Sequence, residues 1–390
     1  MISLRIFGVL VIAALLAGGT SASSGLARAA GPTVTAIDLG TLGGTFSFAT
    51  AVNESGQVVG NSTTARSGFH AFSWTQSGGM VDLGTLGGGG STAADVNGRG
   101  QVVGDTTIAG GVGIHGFFWT QSGGMVDLGT LGGTFSTAAR VNASGQVVGR
   151  STIAGDSEAH AFSWTRAGGM VDLGTLGGNV SGAVAVSDSG QVVGSSTTAA
   201  GVTHAFSWTQ SGGMIDLGTL GNGISIAVDV SPSGQVTGIS TPASGVGFHA
   251  FSWTRQGEMV DLGTLGGTRS FAVRIGASDQ VVGESDTTAN AEFHAFFWTQ
   301  TGGMVDVGTI GGPLSNAADV NARGQVVGSS TTTGYFTGHA FSWTRTGGMV
   351  DLGTLGGAYS QAVAVNARGD VVGEGETGGE GEFHATLWRT

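Results

Sequence analysis

This chain is one sequence written eight times, and that periodicity limits its fold before any single residue is interpreted. The segment Asp-Leu-Gly-Thr-Leu-Gly-Gly begins at Asp38, and versions of it start at Asp82, Asp127, Asp172, Asp216, Asp261, Asp306 and Asp351, 44 or 45 residues apart. His-Ala-Phe-Ser-Trp-Thr begins at His70 and returns at His115, His160, His204, His249, His294, His339 and His384, accounting for all eight His and all eight Trp. Val-Asn-x-x-Gly-Gln-Val-Val-Gly begins at Val52 and recurs from Val96, Val141, Val186, Val230, Ile275, Val320 and Val365. Single hydrophobic cores stop growing at about 250–300 residues. A chain of 390 residues built from equal units therefore buries its apolar surface between neighbouring units.

Each unit carries four short strand candidates, rich in Val, Phe, Trp and Thr and bounded by Gly. In the first unit these are strand A at about 47–53, B at 56–60, C at 70–75 and D at 80–84. The runs 53–56 and 76–79 suit tight hairpins whose Gly takes positive φ. Four antiparallel strands in roughly 45 residues make the blade of a propeller. The N-terminal region supplies only a D-type strand at 34–39, and the last unit ends in a C-type strand at 384–388. Pairing the two completes the last unit and protects edges that an open solenoid would expose. The expectation is an all-β, eight-bladed β-propeller of four-stranded repeats spanning 30–390, its ring closed by the N-terminal strand joining the C-terminal blade.

The three signatures resemble the HAF-repeat family of extracellular bacterial proteins, named for His-Ala-Phe, over about residues 36–390. The resemblance implies an extracellular repeat protein and no established activity. Seven units keep the motif closely, with Gly116 for Ala in the second. The eighth departs, with Thr386 in place of Phe and Leu387 in place of Ser, so its packing is expected to differ.

Residues 1–29 read as a signal peptide. Arg5 precedes an apolar run at 6–17, too short for a comfortable membrane span, and Ala27-Arg28-Ala29 fits a small-x-small cleavage site. No Cys follows for lipid attachment, and no second apolar span is visible. Localisation is expected to be secreted, extracellular or periplasmic, with no membrane span after cleavage.

Net charge is −12, and all 14 basic residues are Arg. A basic patch for nucleic acid is not available. Cleavage would leave 12 Arg against 26 acidic residues, or −14. The chain has no Cys, so stability must come from burial and closure. Each unit has one His, without a second ligand at metal spacing, so no metal site is expected and the repeated Asp of strand D is the natural His partner. The repeated Trp stands two residues after Phe on the same strand face, which reads as packing rather than glycan stacking. Gly-rich loops without a following helix or any Lys exclude a P-loop or Rossmann site, and no cofactor is expected.

Function is therefore expected where the units differ. The A–B and C–D turns are uniform, while the B–C loops and D–A tips vary and share one end of each blade, the natural place for binding residues. That face would carry Phe69, Phe248, Phe293, Tyr335, Phe336, Tyr359 and Phe383, with acids including Asp156, Asp286 and Glu374, the last in a solvated acidic loop. Inside strand A, one position reads Ala51, Asp95, Arg140, Ala185, Asp229, Arg274, Asp319 and Ala364. Opposite charges in adjacent units suggest ion pairs Asp95–Arg140, Asp229–Arg274 and Arg274–Asp319 near a central channel, or ligand contacts there. The binding residues expected are Asp95, Arg140, Asp229, Arg274, Asp319, Tyr335, Phe336 and Tyr359; no catalytic residue is assigned. The favoured reading is a monomeric secreted binding scaffold for an extracellular glycan or protein. The alternative is an extracellular hydrolase or lyase using the channel-mouth Asp and Arg residues.

Overall fold

The computed structural model describes residues 34–389 apart from 67, 112, 291, 336 and 380; the expected signal segment lies outside the described residues. Within them the chain is all-β, with one 3-10 turn at Thr288–Asn290. No helix among the described residues is long and apolar enough to cross a membrane.

The first unit sets the pattern. Strand A is Gly43–Val52, B is Val58–Thr64, C is Phe69–Thr75 and D is Gly79–Asp82. They pair antiparallel in the order A–B–C–D, with Ala49, Gly60, Phe72 and Asp82 in one cross-strand row. Strand A begins earlier than the hydrophobic pattern implies. Strand B runs four residues beyond its predicted end. Its polar tail Asn61-Ser62-Thr63-Thr64 reads as loop, yet it pairs with strand C through Ser62↔His70 and Thr63↔Phe69. Buried Asn61 and Ser62 bond backbone groups there, so polarity is not a loop signal at this place. Gly56 and Gly79 hold φ of 81° and 65°, as the two hairpins require. Gly60 is required by contact instead: a Cβ would lie 2.1 Å from the Phe48 carbonyl oxygen.

Large residues of one unit fill the small-residue face of the unit before it. Phe117 packs on Val59 and Ala71 of the first unit. Phe72 packs on Val372, Ala385 and Leu387 of the last. Fully burying such a side chain contributes about 1.5–3 kcal/mol, so the apolar stabilisation lies between units.

Two polar devices repeat across these interfaces. Ser91 accepts from the Ala71 N–H at 3.0 Å and donates to the Gly84 carbonyl at 2.6 Å. The equivalent Ser recurs through every unit, including Ser47, which accepts from Ala385 of the last. The second device is an asparagine belt. Asn53 Nδ2 donates to the Asn97 carbonyl of the next unit at 3.0 Å and to Gln57 Oε1 in its own. Asn97 reaches Asn142, Asn142 reaches Ser187, Asn321 reaches Asn366, and Asn366 reaches Asn53 at 3.1 Å. The fourth, fifth and sixth units have Ser187, Ser231 and Gly276 at this position, and none extends the belt.

The two ends of the described chain pair. Thr35–Asp38 lies antiparallel to Phe383–Arg389, with Thr35 opposite Arg389 and Asp38 opposite Thr386. The last unit does pack differently. Trp388 is fully buried with its indole N–H unpartnered. Asp370 stands where other units place Gln, and it binds Arg389 at 2.9 Å and Arg368 at 2.8 Å.

Candidate functional site

The repeated His residues belong to the scaffold. Each His Nδ1 lies 2.8–2.9 Å from the Asp of its D strand, as in His70–Asp82 and His160–Asp172. For the last unit that partner is Asp38, at the other end of the chain. The same carboxylate accepts the N–H two residues on, Gly84 in the case of Asp82, at 2.7 Å. Each His–Asp pair therefore ties strand C to the start of the D–A loop. Among the described residues no His, Asp or Glu cluster is arranged to hold a metal.

Asp95, Arg140, Asp229, Arg274 and Asp319 do come together. All five line one cavity of about 220 Å³, with Thr50 and Ala364 also in its wall. The ion pairing, however, is not as the sequence suggests. Of the three expected pairs only Arg274–Asp319 falls within 4 Å, with Nε 3.8 Å from Oδ1. Asp95 instead accepts from the Val141 N–H at 3.0 Å, and Asp229 from Val230 at 2.9 Å and Ile275 at 3.2 Å. Asp319 does the same with Val320 and Val365, both at 2.9 Å. The reason is local. In the following unit the register shifts immediately after the inward Ala, as between Ala138 and Arg140, and the N–H that reaches the carboxylate comes directly after that bulge. A charged hydrogen bond at that distance outweighs a solvated ion pair. The three carboxylates thus act as inter-unit staples. Arg140 is held below its usual pKa, first by the Arg274 guanidinium and then by burial. Burial pushes the Asp319 carboxyl up.

The aromatic residues lie at the other end of strand A. Tyr359 and Ala364 are five residues apart on one strand, or about 16 Å at roughly 3.3 Å per residue. The expected binding residues therefore form two separate places. Tyr359 belongs to a ribbon of rings across the seam between the last and first units. Its ring centroid is 5.9 Å from Phe383, which is 6.2 Å from Phe46. Phe46 is 5.8 Å from Phe48, and Phe48 is 5.9 Å from Phe69. All five are half-buried, leaving ring surface open. Phe48 escaped the sequence reading because it sits inside strand A, where an aromatic looks like core. Tyr335 is 60% exposed and stands outside this ribbon; Phe336 lies outside the described residues.

Two acids expected on this face, Asp286 and Glu374, are corrected, while Asp156 is exposed in its loop as expected. Asp286 is fully buried and paired with Arg269 at 2.9 Å, since strand B extends over it. Asp156 caps its own loop, accepting from Thr152 and from the Thr134 N–H at 2.6 and 2.7 Å, and these bonds hold its carboxyl below the usual range. Glu374 is not in a solvated loop. It lies in strand B opposite Gln361 and Ala385, half-buried, and makes no hydrogen bond or ion pair among the described residues. Burial pushes it up to about 7. Tyr359, buried beside that carboxyl, rises to about 12.

No protein-family model matches the chain, and no curated protein matches it. Solved structures do. The β-propeller domain of the Trilobed protease from Pyrococcus furiosus, described as having an open velcro topology, aligns at TM-score 0.51 and 8% identity, covering 79% of this chain and 98% of that one. The acylaminoacyl peptidase of Pyrococcus horikoshii aligns at 0.50 and 10% identity, covering 81% and 54%. A puromycin hydrolase variant aligns at 0.47 and 13% identity, covering 78% and 53%. This chain has the β-propeller fold. It spans about half the length of the peptidase and hydrolase chains, and at these identities the likeness extends to fold alone.

Proposed function

We propose that the chain is a secreted, monomeric, eight-bladed β-propeller of the HAF-repeat type that holds an extracellular glycan on its variable-loop end. The paired chain ends and the inter-unit bonds from the last unit to the first support a closed ring of eight blades. The observation that carries the binding reading is the aromatic ribbon from Tyr359 to Phe69. Half-exposed rings 5.8–6.2 Å apart, in positions where the repeat is otherwise free to vary, form a ledge on which successive sugar rings stack. Unpaired Glu374 beside it offers a carboxyl to sugar hydroxyls. The hydrolase or lyase alternative loses support, because Asp95, Asp229 and Asp319 already hold backbone N–H groups.

The secreted chain, applied to an array of bacterial cell-wall glycans and surface proteins, is expected to retain a glycan. Tyr359→Ala with Phe383→Ala should weaken that binding about 10-fold or more. Retention of a surface protein instead would replace the glycan with a protein partner, and no retention would remove the reading. N-terminal sequencing of the exported protein should begin at Ala30.

A further inference from the structure

A second cavity lies on the opposite end of the blades, where the repeat predicts only uniform turns. It has a volume of about 400 Å³ and opens between the fourth and fifth units. That volume is within the range of small-ligand sites, about 300–1,000 Å³. Its wall combines Trp253, Gln191, Gln235, Arg255 and Asp279 with the hydroxyls of Ser207 and Thr209.

Two breaks in the repeat coincide with it. In the other units with a described C–D hairpin, its last residue is Gly at φ 64–68°. The fifth unit has Glu258 there, which does not take positive φ. Its D strand shrinks to Val260–Asp261, against Gly213–Asp216 in the fourth unit. The second break is in the asparagine belt. Where Asn is present, its Nδ2 donates to the Gln Oε1 of the same turn, at 3.0 Å for Asn53–Gln57 and 2.9 Å for Asn321–Gln325. Ser187 and Ser231 cannot make that bond. Gln191 and Gln235 still use their Nε2 donors, on Ser207 at 3.0 Å and Ser252 at 2.6 Å, and Gln191 Nε2 also reaches the Gly234 carbonyl at 3.3 Å. Their Oε1 acceptors have no donor among the described residues. Opposite charges are present in Arg255 and Asp279, so the wall favours no ionic ligand, and Asp279 is further held by Ser233 Oγ at 2.8 Å.

We infer that this cavity is a second ligand site, for a neutral pyranose, in which hydroxyl groups donate to Gln191 Oε1 and Gln235 Oε1 beside the Trp253 indole. Amide oxygens without a protein donor favour hydroxyl-bearing ligands, because an apolar ligand would displace their water without replacing its hydrogen bonds. The site is independent of the aromatic ribbon and shares no residue with it.

The test is titration of the full chain with methyl glucoside, methyl galactoside, N-acetylglucosamine and their β-linked disaccharides. Calorimetry would report affinity, and the Trp253 indole N–H resonance would report location. At least one sugar is expected to bind and shift that resonance. Ser231→Asn restores the belt residue, whose Nδ2 would occupy Gln235 Oε1. It should weaken binding about 10-fold, the loss of roughly one hydrogen bond, without lowering the melting temperature. Gln235→Leu should lose binding similarly, while Tyr359→Ala should leave the Trp253 shift unchanged. The inference is overturned if no sugar in the set moves the Trp253 resonance, or if Ser231→Asn and Gln235→Leu bind as the parent does. Sugar binding that Tyr359→Ala abolishes would assign it to the ribbon and also overturn the site proposed here.

Discussion

Two arcs of the same repeat differ in how neighbouring units are joined. From the seventh unit through the eighth and first to the third, asparagine Nδ2 groups link each turn to the next unit's backbone. From the fourth to the sixth those links are absent, and only isolated contacts replace them, such as Gln191 to the Gly234 carbonyl at 3.3 Å and Ser233 to Asp279. Both arcs keep the His–Asp pair and the Ser staple. The comparison separates what the fold needs everywhere from what it can lose locally. Apolar packing between units is retained in both arcs, as around Phe117 and around Phe251. The belt is a reinforcement, and a polar cavity lies where it lapses.

This difference can be broken by measurement. The largest effect is expected for Asn366→Ala, which removes bonds to Asn53 and Asp370 and leaves two backbone N–H groups uncapped. It should cost about 2–4 kcal/mol in urea unfolding, whereas Ser231→Ala should cost under about 1 kcal/mol. Equal costs would mean that the belt does not distinguish the arcs.

Glu374, in the belted arc, should give the next largest effect. Its folded pKa of about 7 exceeds the unfolded value of about 4.3. Folding therefore favours the protonated carboxyl. Its contribution is fully present below about pH 4 and lost as pH rises through 7. Glu374→Gln should stabilise by about 1–3 kcal/mol at pH 8 and by nothing below pH 4. A pH-independent effect would sink the assignment.

His160→Ala and His249→Ala test what the arcs share, and each should cost about 1–2 kcal/mol. An unchanged melting temperature would end the structural reading of the His. Asp95→Ala should have a smaller effect than either, about 1 kcal/mol, because water in the cavity can replace the carboxylate at the Val141 N–H. A loss several times larger would show that the channel carboxylates are core supports rather than local staples.

Much of the fold was legible from sequence. Strand alternation at His70, Phe72 and Trp74 and Gly at the hairpins follow from local rules, and the His–Asp pairing follows from their equal spacing in every unit. The site was legible only in part. Tyr359, Phe69 and Phe383 stood out as departures from the repeat, and the five channel residues shared a position. Phe48 did not, because an aromatic within a strand looks like core, and Glu374 was placed in a solvated loop because an acid after Val-Val-Gly looks like loop. The ion pairs expected of Asp95 and Asp229 failed because a strand bulge, invisible in composition, offers each carboxylate a backbone N–H.

By itself, then, the sequence determined the repeat unit, its strands and its two chemically distinct ends, because these depend on interactions a few residues long. The tertiary structure decided which polar groups find partners. Asn53 reaches Asn97, Asp38 meets His384, and Gln235 Oε1 is left without a donor. Those outcomes depend on the distance between units, which a single unit's sequence does not contain.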